Sequence, residues 1–291
     1  MQSIGIYYFS GTGNTEIVAE LLQASLQNQG HTARLLRIED ILKQKNELDT
    51  SQYDILGIGC PIYGFDLPQI VYRFIQALPT AKGQKTFCFQ TASDFVELNR
   101  VASYTARKEL GQKGYDVFYQ RIICMSPNWT LKYDERLIRQ LYNAAVHKTQ
   151  RMAGDILSDR ERLPKSNILS RGLAKISSWG ERWGARTFVR DLYASDACTH
   201  CNMCVQNCPV ENITWDGDRL VFGPDCLWCM RCVYRCPTQA ISARLYKFVI
   251  VRGGFDPRQV IDNPDIEQEY VTEKTRGYFG RFRRYFQDID F

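Results

Sequence analysis

Eight of the 11 cysteines lie between Cys198 and Cys236 and fall into two matching runs. Cys198, Cys201, Cys204 and Cys208 precede Pro209, and Cys226, Cys229, Cys232 and Cys236 precede Pro237, so that each run reads C-x2-C-x2-C-x3-C-P. Thiolates at this density ligate a soft metal. Structural zinc takes two C-x2-C pairs separated by a longer span and has no use for a third close cysteine in each run. Three thiolates on one tight loop suit three corners of an iron–sulfur cube. Disulfides belong to oxidising compartments, and the first 20 residues carry no basic leader, long apolar stretch or small-residue cleavage site, so a reducing, cytoplasmic setting is expected. Cys60, Cys88 and Cys124 stand apart in apolar surroundings, where cysteine packs as a small core residue.

A second constellation is Ser10, Gly11, Thr12, Gly13, Asn14 and Thr15, between a short apolar run and a helical one. The unpaired N–H groups and dipole of a helix start favour an anion there. The hydroxyls add donors, and Gly11 and Gly13 permit close backbone approach. A Walker A loop would need a lysine, and none follows Gly13, so nucleoside triphosphate hydrolysis is disfavoured. A dinucleotide fingerprint would need glycine where Glu16 stands. What remains is a phosphate held without a cation, or a plain helix cap.

Positioning these residues requires a particular set of elements. Residues 4–9 read as a strand, and Ile17, Val18, Leu21 and Leu22 recur at helical spacing up to Gly30. Further strands are expected over 33–38, 53–60, 85–90 and 115–123, with helices over 70–78, 97–110 and 133–152. Strands alternating with helices imply a parallel sheet covered on both faces. Pro164 marks a boundary, after which 168–192 reads as an arginine-bearing amphipathic helix whose Trp179 and Trp183 are expected to pack. Between the cysteine runs, NITWDGDRLVFGPD suits a two-stranded ribbon, and Ile213 and Ile241 recur at matching offsets. After Cys236, ISARLYKFVIV is expected to form an edge strand. Arg276, Arg281, Arg283 and Arg284, interleaved with aromatics, suit a packed terminal helix or partner surface better than lipid or nucleic acid. The division expected is 1–157, a helical connector 158–195, a cysteine domain 196–245 and an extension 246–291.

The run Ile6-Tyr7-Tyr8-Phe9-Ser10-Gly11-Thr12-Gly13-Asn14-Thr15, with Ala19 and Leu22, resembles the FMN-phosphate signature of flavodoxins, and the likeness of pattern and order covers residues 1–150. The resemblance implies an α/β fold, a flavodoxin-like doubly wound five-stranded parallel sheet, with the FMN ring over two further loops. These match Pro61, Ile62, Tyr63 and Gly64 after Cys60, and Thr91, Ala92, Ser93, Asp94 and Phe95. Tyr63 is the preferred flank of the ring and Phe95 the second. The third loop has TASD where a T-G-D-like run is usual. Ser126, Pro127 and Asn128 follow the fifth strand towards the flavin edge or a partner.

The cysteine runs resemble bacterial two-[4Fe–4S] ferredoxins, in which the fourth cysteine of each run ligates the other cluster. That resemblance assigns Cys198, Cys201, Cys204 and Cys236 to one cluster and Cys226, Cys229, Cys232 and Cys208 to the other. The whole is similar to the ferredoxin/flavodoxin fusions of anaerobes. A complete set of eight thiols leaves no open iron for a substrate. The expected function is electron transfer between two [4Fe–4S] clusters and FMN, with reduction of a small substrate at the flavin as an extension. A pure carrier between redox proteins and a non-redox interaction module are the alternatives.

Partners are then a redox protein donor or acceptor and, with the extended function, a small-molecule substrate. A net charge of +5 is too small to imply nucleic-acid binding, and no apolar stretch is long enough to span a membrane. His31 and His147 carry no ligand spacing, and His200, inside the first run, is placed to tune a cluster. Catalytic residues and oligomeric state are not legible.

Overall fold

The structure is a computed structural model that describes residues 1–44, 48–267 and 269–287. Five strands, β1 (Ser3–Tyr8), β2 (Thr32–Arg37), β3 (Ile55–Pro61), β4 (Gln84–Ala92) and β5 (Tyr115–Cys124), form one parallel sheet in the order β2-β1-β3-β4-β5. This is the flavodoxin-like doubly wound order, with its switch point between β1 and β3. The GIG of β3 has a packing reason. A Cβ at Gly57 would lie 2.3 Å from Phe87, and one at Gly59 would lie 2.1 Å from Phe89, so the two glycines admit the aromatic rings of β4.

Helices α1 (Asn14–Asn28), α2 (Ile38–Gln44), α3 (Gln69–Ala77), α4 (Tyr104–Gln112) and α5 (Glu135–Leu157) cover the sheet. Ile17, Val18, Leu22 and Leu26 of α1 share one core with Ala145, Met152 and Ile156 of α5. Ile70, Val71, Phe74 and Ile75 of α3 share the opposite core with Ala106 and Leu110 of α4. Two local expectations change. α2 follows β2 without a loop, and its seven residues are too few for a clear helical period in the sequence. The helix expected over 97–110 is a 3-10 turn, Glu97–Val101, followed by α4.

The segment after α5 runs along the outer edge of β5, where Arg162 N–H donates to the Phe118 carbonyl and Gln120 N–H to the Arg162 carbonyl. It thereby blunts an open edge. Helix α6 (Ile168–Asp191) starts at a capping box in which the Asn167 side chain accepts from Ser170 N–H at 2.7 Å. It leads into β6 (Leu192–Ala194), α7 (Met203–Gln206), the β7–β8 ribbon (Ile213–Asp216, Arg219–Phe222), α8 (Arg231–Tyr234) and β9 (Ile241–Ala243).

β6 and β9 pair antiparallel, and the strand expected after Cys236 is limited to those three residues. The Asp191 carboxylate accepts from the N–H groups of Leu245 and Tyr246 and turns the chain into a 3-10 segment, Tyr246–Val249. The extension packs through α9 (Pro257–Ile261), α10 (Gly277–Gly280) and α11 (Phe282–Phe286). Phe282 and Tyr285 are buried among Cys124, Tyr133, Leu137 and Leu141. The end of the extension, 288–291, lies outside the described residues.

Candidate functional site

A cleft opens at the carboxyl ends of β1, β3, β4 and β5, the sheet edge at which ligands bind in open α/β folds. It is lined by Ser10, Gly11, Thr12, Asn14 and Thr15 of the first loop, Pro61, Ile62 and Tyr63 of the second, and Thr91, Ala92 and Ser93 of the third. Met125, Ser126, Pro127, Asn128 and Trp129 close the fourth side. Three loops read from sequence thus converge.

Gly13 sits at φ 110°, a backbone that glycine adopts without strain, and no side chain caps α1. Its first N–H groups are therefore left to a ligand or water. Thr15 and Thr91 hydroxyls meet at 2.7 Å, and the Asn128 amide donates to the Thr12 hydroxyl at 3.0 Å. Three buried polar atoms of the lining, Asn14 Oδ1, Ser126 Oγ and Tyr63 Oη, have no hydrogen-bond partner. Such atoms call for a polar ligand or water.

Gly64, Asp94 and Phe95 do not reach this lining. Gly64 lies against α6, where a Cβ would meet Glu181 at 2.7 Å. Asp94 accepts from the Tyr278 hydroxyl at 2.8 Å and pairs with Arg281. Phe95 packs on Phe282 and Tyr285 with ring centroids 5.2 and 5.8 Å away. The extension thus draws this end of the third loop away from the cleft. No local signal in TASDF shows this, because the partners lie far along the chain.

The cysteine region repeats itself in backbone as well as in spacing. His200 and Asn202 of the first loop, and Trp228 and Met230 of the second, have φ between 54° and 62° at equivalent positions; Glu211 and Gln239, three residues past each fourth cysteine, have 52° and 51°. Left-handed non-glycine residues are costly and persist where surroundings over-determine them. Equivalent N–H groups face the fourth sulfurs, Asn212 to Cys208 and Ala240 to Cys236, both at 3.3 Å.

The thiols group electrostatically. Burial pushes Cys226 up to about 12, with Cys229 and Cys208 adding to the rise. Cys232 is raised well above its ordinary value by burial and by Cys229, Cys226, Cys208 and Cys204. Cys204 is raised by burial and by Cys198 and Cys236. Among the described residues, no three of His, Cys, Asp or Glu close on one point as ligands of a single ion do.

The two constellations touch. A Cβ at Gly11 would lie 2.7 Å from the Cys229 carbonyl and 2.8 Å from the Tyr63 hydroxyl. The glycine read from sequence as a phosphate residue therefore also admits the second cysteine loop. Arg231, nearly fully buried, donates Nε–H to the Gly11 carbonyl at 3.1 Å, Nη2–H to the Ser10 carbonyl and to Glu39 Oε1, both at 2.6 Å, and Nη1–H to the Asn207 carbonyl at 3.0 Å. Because a trans peptide points C=O and N–H in opposite directions, this turns the N–H groups of Gly11 and Thr12 away from the guanidinium. Burial opposes the charge of Arg231, but Glu39 and Cys229 outweigh it and raise its pKa.

Glu16 links the same parts. Burial raises its pKa, yet Arg37, Tyr8 and Arg235 together hold it below the ordinary glutamate value. Tyr63 has its hydroxyl withdrawn from water, which raises its pKa, and Cys229 adds to the rise. Trp129 of the cleft and Trp228 of the second loop lie 5.0 Å apart by ring centroid, and Trp228 stacks on Phe188 at 5.4 Å. His200 packs on Trp215 at 4.7 Å. Cys60, Cys88 and Cys124 are buried in the sheet as expected. Arg231 and Trp129 carried no sequence signal, since an arginine inside a cysteine run and a tryptophan after a strand are ordinary on their own.

Residues 5–116 match the family described as flavodoxin domain, and residues 190–244 match the 4Fe-4S dicluster domain. The flavodoxin of Megasphaera elsdenii is 34% identical over 89 residues, 30% of this chain, and the match spans 62% of that relative's length. The solution structure of that organism's two-electron reduced flavodoxin shows 28% identity over 41% of this chain and 84% of its own, with a TM-score of 0.35. Oxidised flavodoxin 1 from Bacillus cereus shows 18% identity over 54% of this chain and 98% of its own, with a TM-score of 0.41. Strand order and the two family matches make the chain a flavodoxin-like sheet joined to a 4Fe-4S dicluster domain. That architecture is consistent with electron transfer linking a flavin site to iron–sulfur clusters.

Proposed function

We propose that the cleft binds one FMN, that Cys198, Cys201, Cys204 and Cys236 hold one [4Fe–4S] cluster and Cys226, Cys229, Cys232 and Cys208 the other, and that the protein carries electrons between a redox partner and the flavin. The close approach of Gly11 to the Cys229 carbonyl and Cβ supports this most strongly, because it brings the Ser10–Thr15 loop against a cysteine of the second run. The backbone N–H groups of Asn212 and Ala240 face the sulfurs of Cys208 and Cys236 at 3.3 Å, which suits thiolates held as cluster ligands.

Bound FMN supplies exchange of one or two electrons, and each cluster supplies one. The chain's own residues do the rest. The start of α1 and the hydroxyls of Ser10, Thr12 and Thr15 hold the phosphate. Asn14, Ser126 and Tyr63 meet polar edges of the cofactor with atoms that are otherwise unpartnered. Cys229 is buried in the core on one face of the flavodoxin-like sheet, whereas Cys201 is exposed, so the first set is the port to a partner.

The pure-carrier reading is favoured over substrate reduction by one observation. The described residues lining the cleft include no carboxylate, imidazole, ammonium or guanidinium to move a substrate's proton. Anaerobic purification should give about eight iron atoms and about one FMN per chain. Stopped-flow mixing with a reduced ferredoxin should then bleach flavin and clusters together. Zinc in place of iron, or reduced clusters that never equilibrate with bound flavin, would overturn the reading.

A further inference from the structure

α6 has an outer face that the rest of the protein leaves uncovered. Ile168, Leu169, Leu173, Ile176, Trp179 and Trp183 are all at least 50% exposed, with Trp179 at 71% and Trp183 at 60%. At 100° per residue these six fall within an arc of about 140°. The helix buries the opposite side, through Ala174, Ser178, Ala185, Phe188 and Val189. This corrects the sequence expectation that the two tryptophans pack. Ser178 and Arg182 bond Asp66 at 2.8 and 3.3 Å, which holds α6 down on the second cleft loop with its apolar stripe outward.

The charges on that face have one sign. Exposed Lys175, Arg186 and Arg190 lie at one edge of the stripe, Arg182 being paired with Asp66, and the exposed residues of α6 include no Asp or Glu. Projected down the axis, Lys175, Arg186 and Arg190 share one edge of the stripe with Ile168, Trp179 and Trp183, and Ile176, Leu169 and Leu173 follow on the far side. A second copy of the chain would bring basic row against basic row with no acid to pair them, so self-association is disfavoured.

We infer that this face of α6 docks flat on an anionic lipid bilayer. The cations meet headgroup phosphates, the indoles sit at the interface, and the aliphatic row enters the acyl boundary. The helix is too polar to cross a membrane, so the contact is peripheral. The arginine–aromatic run of the extension is packed, with Phe282 and Tyr285 buried inside, and leaves the lipid role to α6.

The test uses the full-length protein with its flavin and iron, and its readout is independent of redox activity. Co-sedimentation with vesicles of phosphatidylcholine containing about one-third phosphatidylglycerol should retain the protein, whereas phosphatidylcholine alone should not. Trp179→Glu with Trp183→Glu should lower the partition at least about tenfold while flavin and iron contents stay at the wild-type level. Lys175→Ala and Arg186→Ala should each lower it about fivefold at low salt. No retention by anionic vesicles overturns the inference, as does retention that the double tryptophan variant leaves unchanged. A concentration-dependent dimer that the same variant abolishes, without vesicle binding, overturns it in favour of a self-interface.

Discussion

Arg231 stands where the Ser10–Thr15 loop meets both cysteine runs, and its guanidinium is spent on Ser10, Gly11, Asn207 and Glu39. Breaking a buried ion pair from one side leaves an uncompensated charge. Arg231→Met should therefore cost about 3–5 kcal/mol in urea unfolding, and adding Glu39→Gln should recover part of it. A loss under 1 kcal/mol would show that the pair is solvated. Gly11→Ala tests the contact itself. Its Cβ cannot share space with the Cys229 carbonyl, which is backbone and cannot swing aside. FMN affinity should fall by at least about tenfold with iron content kept. Of the two, Gly11 was legible in the sequence and Arg231 was not. The loop glycines and cysteines stood out by type and spacing, but the arginine's partners lie in three other segments, and no spacing rule reaches across them.

At the scale of elements, β5 shows how the sheet's edge is finished. The segment around Arg162 bridges its outer side, and α11 closes its carboxyl end, where the buried Cys124 N–H donates to the Tyr285 hydroxyl at 2.9 Å. Tyr285→Phe keeps the ring and removes that acceptor, so thermal unfolding should report a loss of about 1–3 kcal/mol. No loss would place water at that N–H. The strands and longer helices were readable because their apolar residues repeat with a definite period. The three-residue strands and four-residue helices of the cysteine domain are too short to show one, and their shape follows from left-handed turns at His200, Asn202, Trp228 and Met230, residue types that do not announce such a backbone.

Across the whole molecule, α6 is the clamp between the two halves. Gly64 packs on its Glu181, and Gly184 admits the Trp228 ring, which would lie 2.6 Å from an added Cβ. Glu181 borders a cavity with Tyr63, Arg182 and Cys226 at this junction. Burial raises its pKa from 4.5 to about 7, with Arg182 opposing and Asp66 adding. A carboxyl whose folded pKa is raised binds its proton more tightly in the folded state. Its contribution is complete below 4.5 and is lost as pH rises through about 7. Urea midpoints of the holoprotein should fall across that window, and Glu181→Gln should flatten the fall. An unchanged slope in the variant would assign the dependence to another group.

By itself the sequence determined which residues exist as sets: eight thiols in two spaced runs, a lysine-free glycine loop after the first strand, and a strand–helix alternation whose order implies a parallel sheet. These are local properties, carried by spacing along a few tens of residues. Only the tertiary structure decided that Gly11 faces Cys229, that Asp94 and Phe95 are taken up by the extension, and that Trp179 and Trp183 look outward from α6. Each of these depends on which distant segment arrives at a surface first, and packing in three dimensions settles that competition.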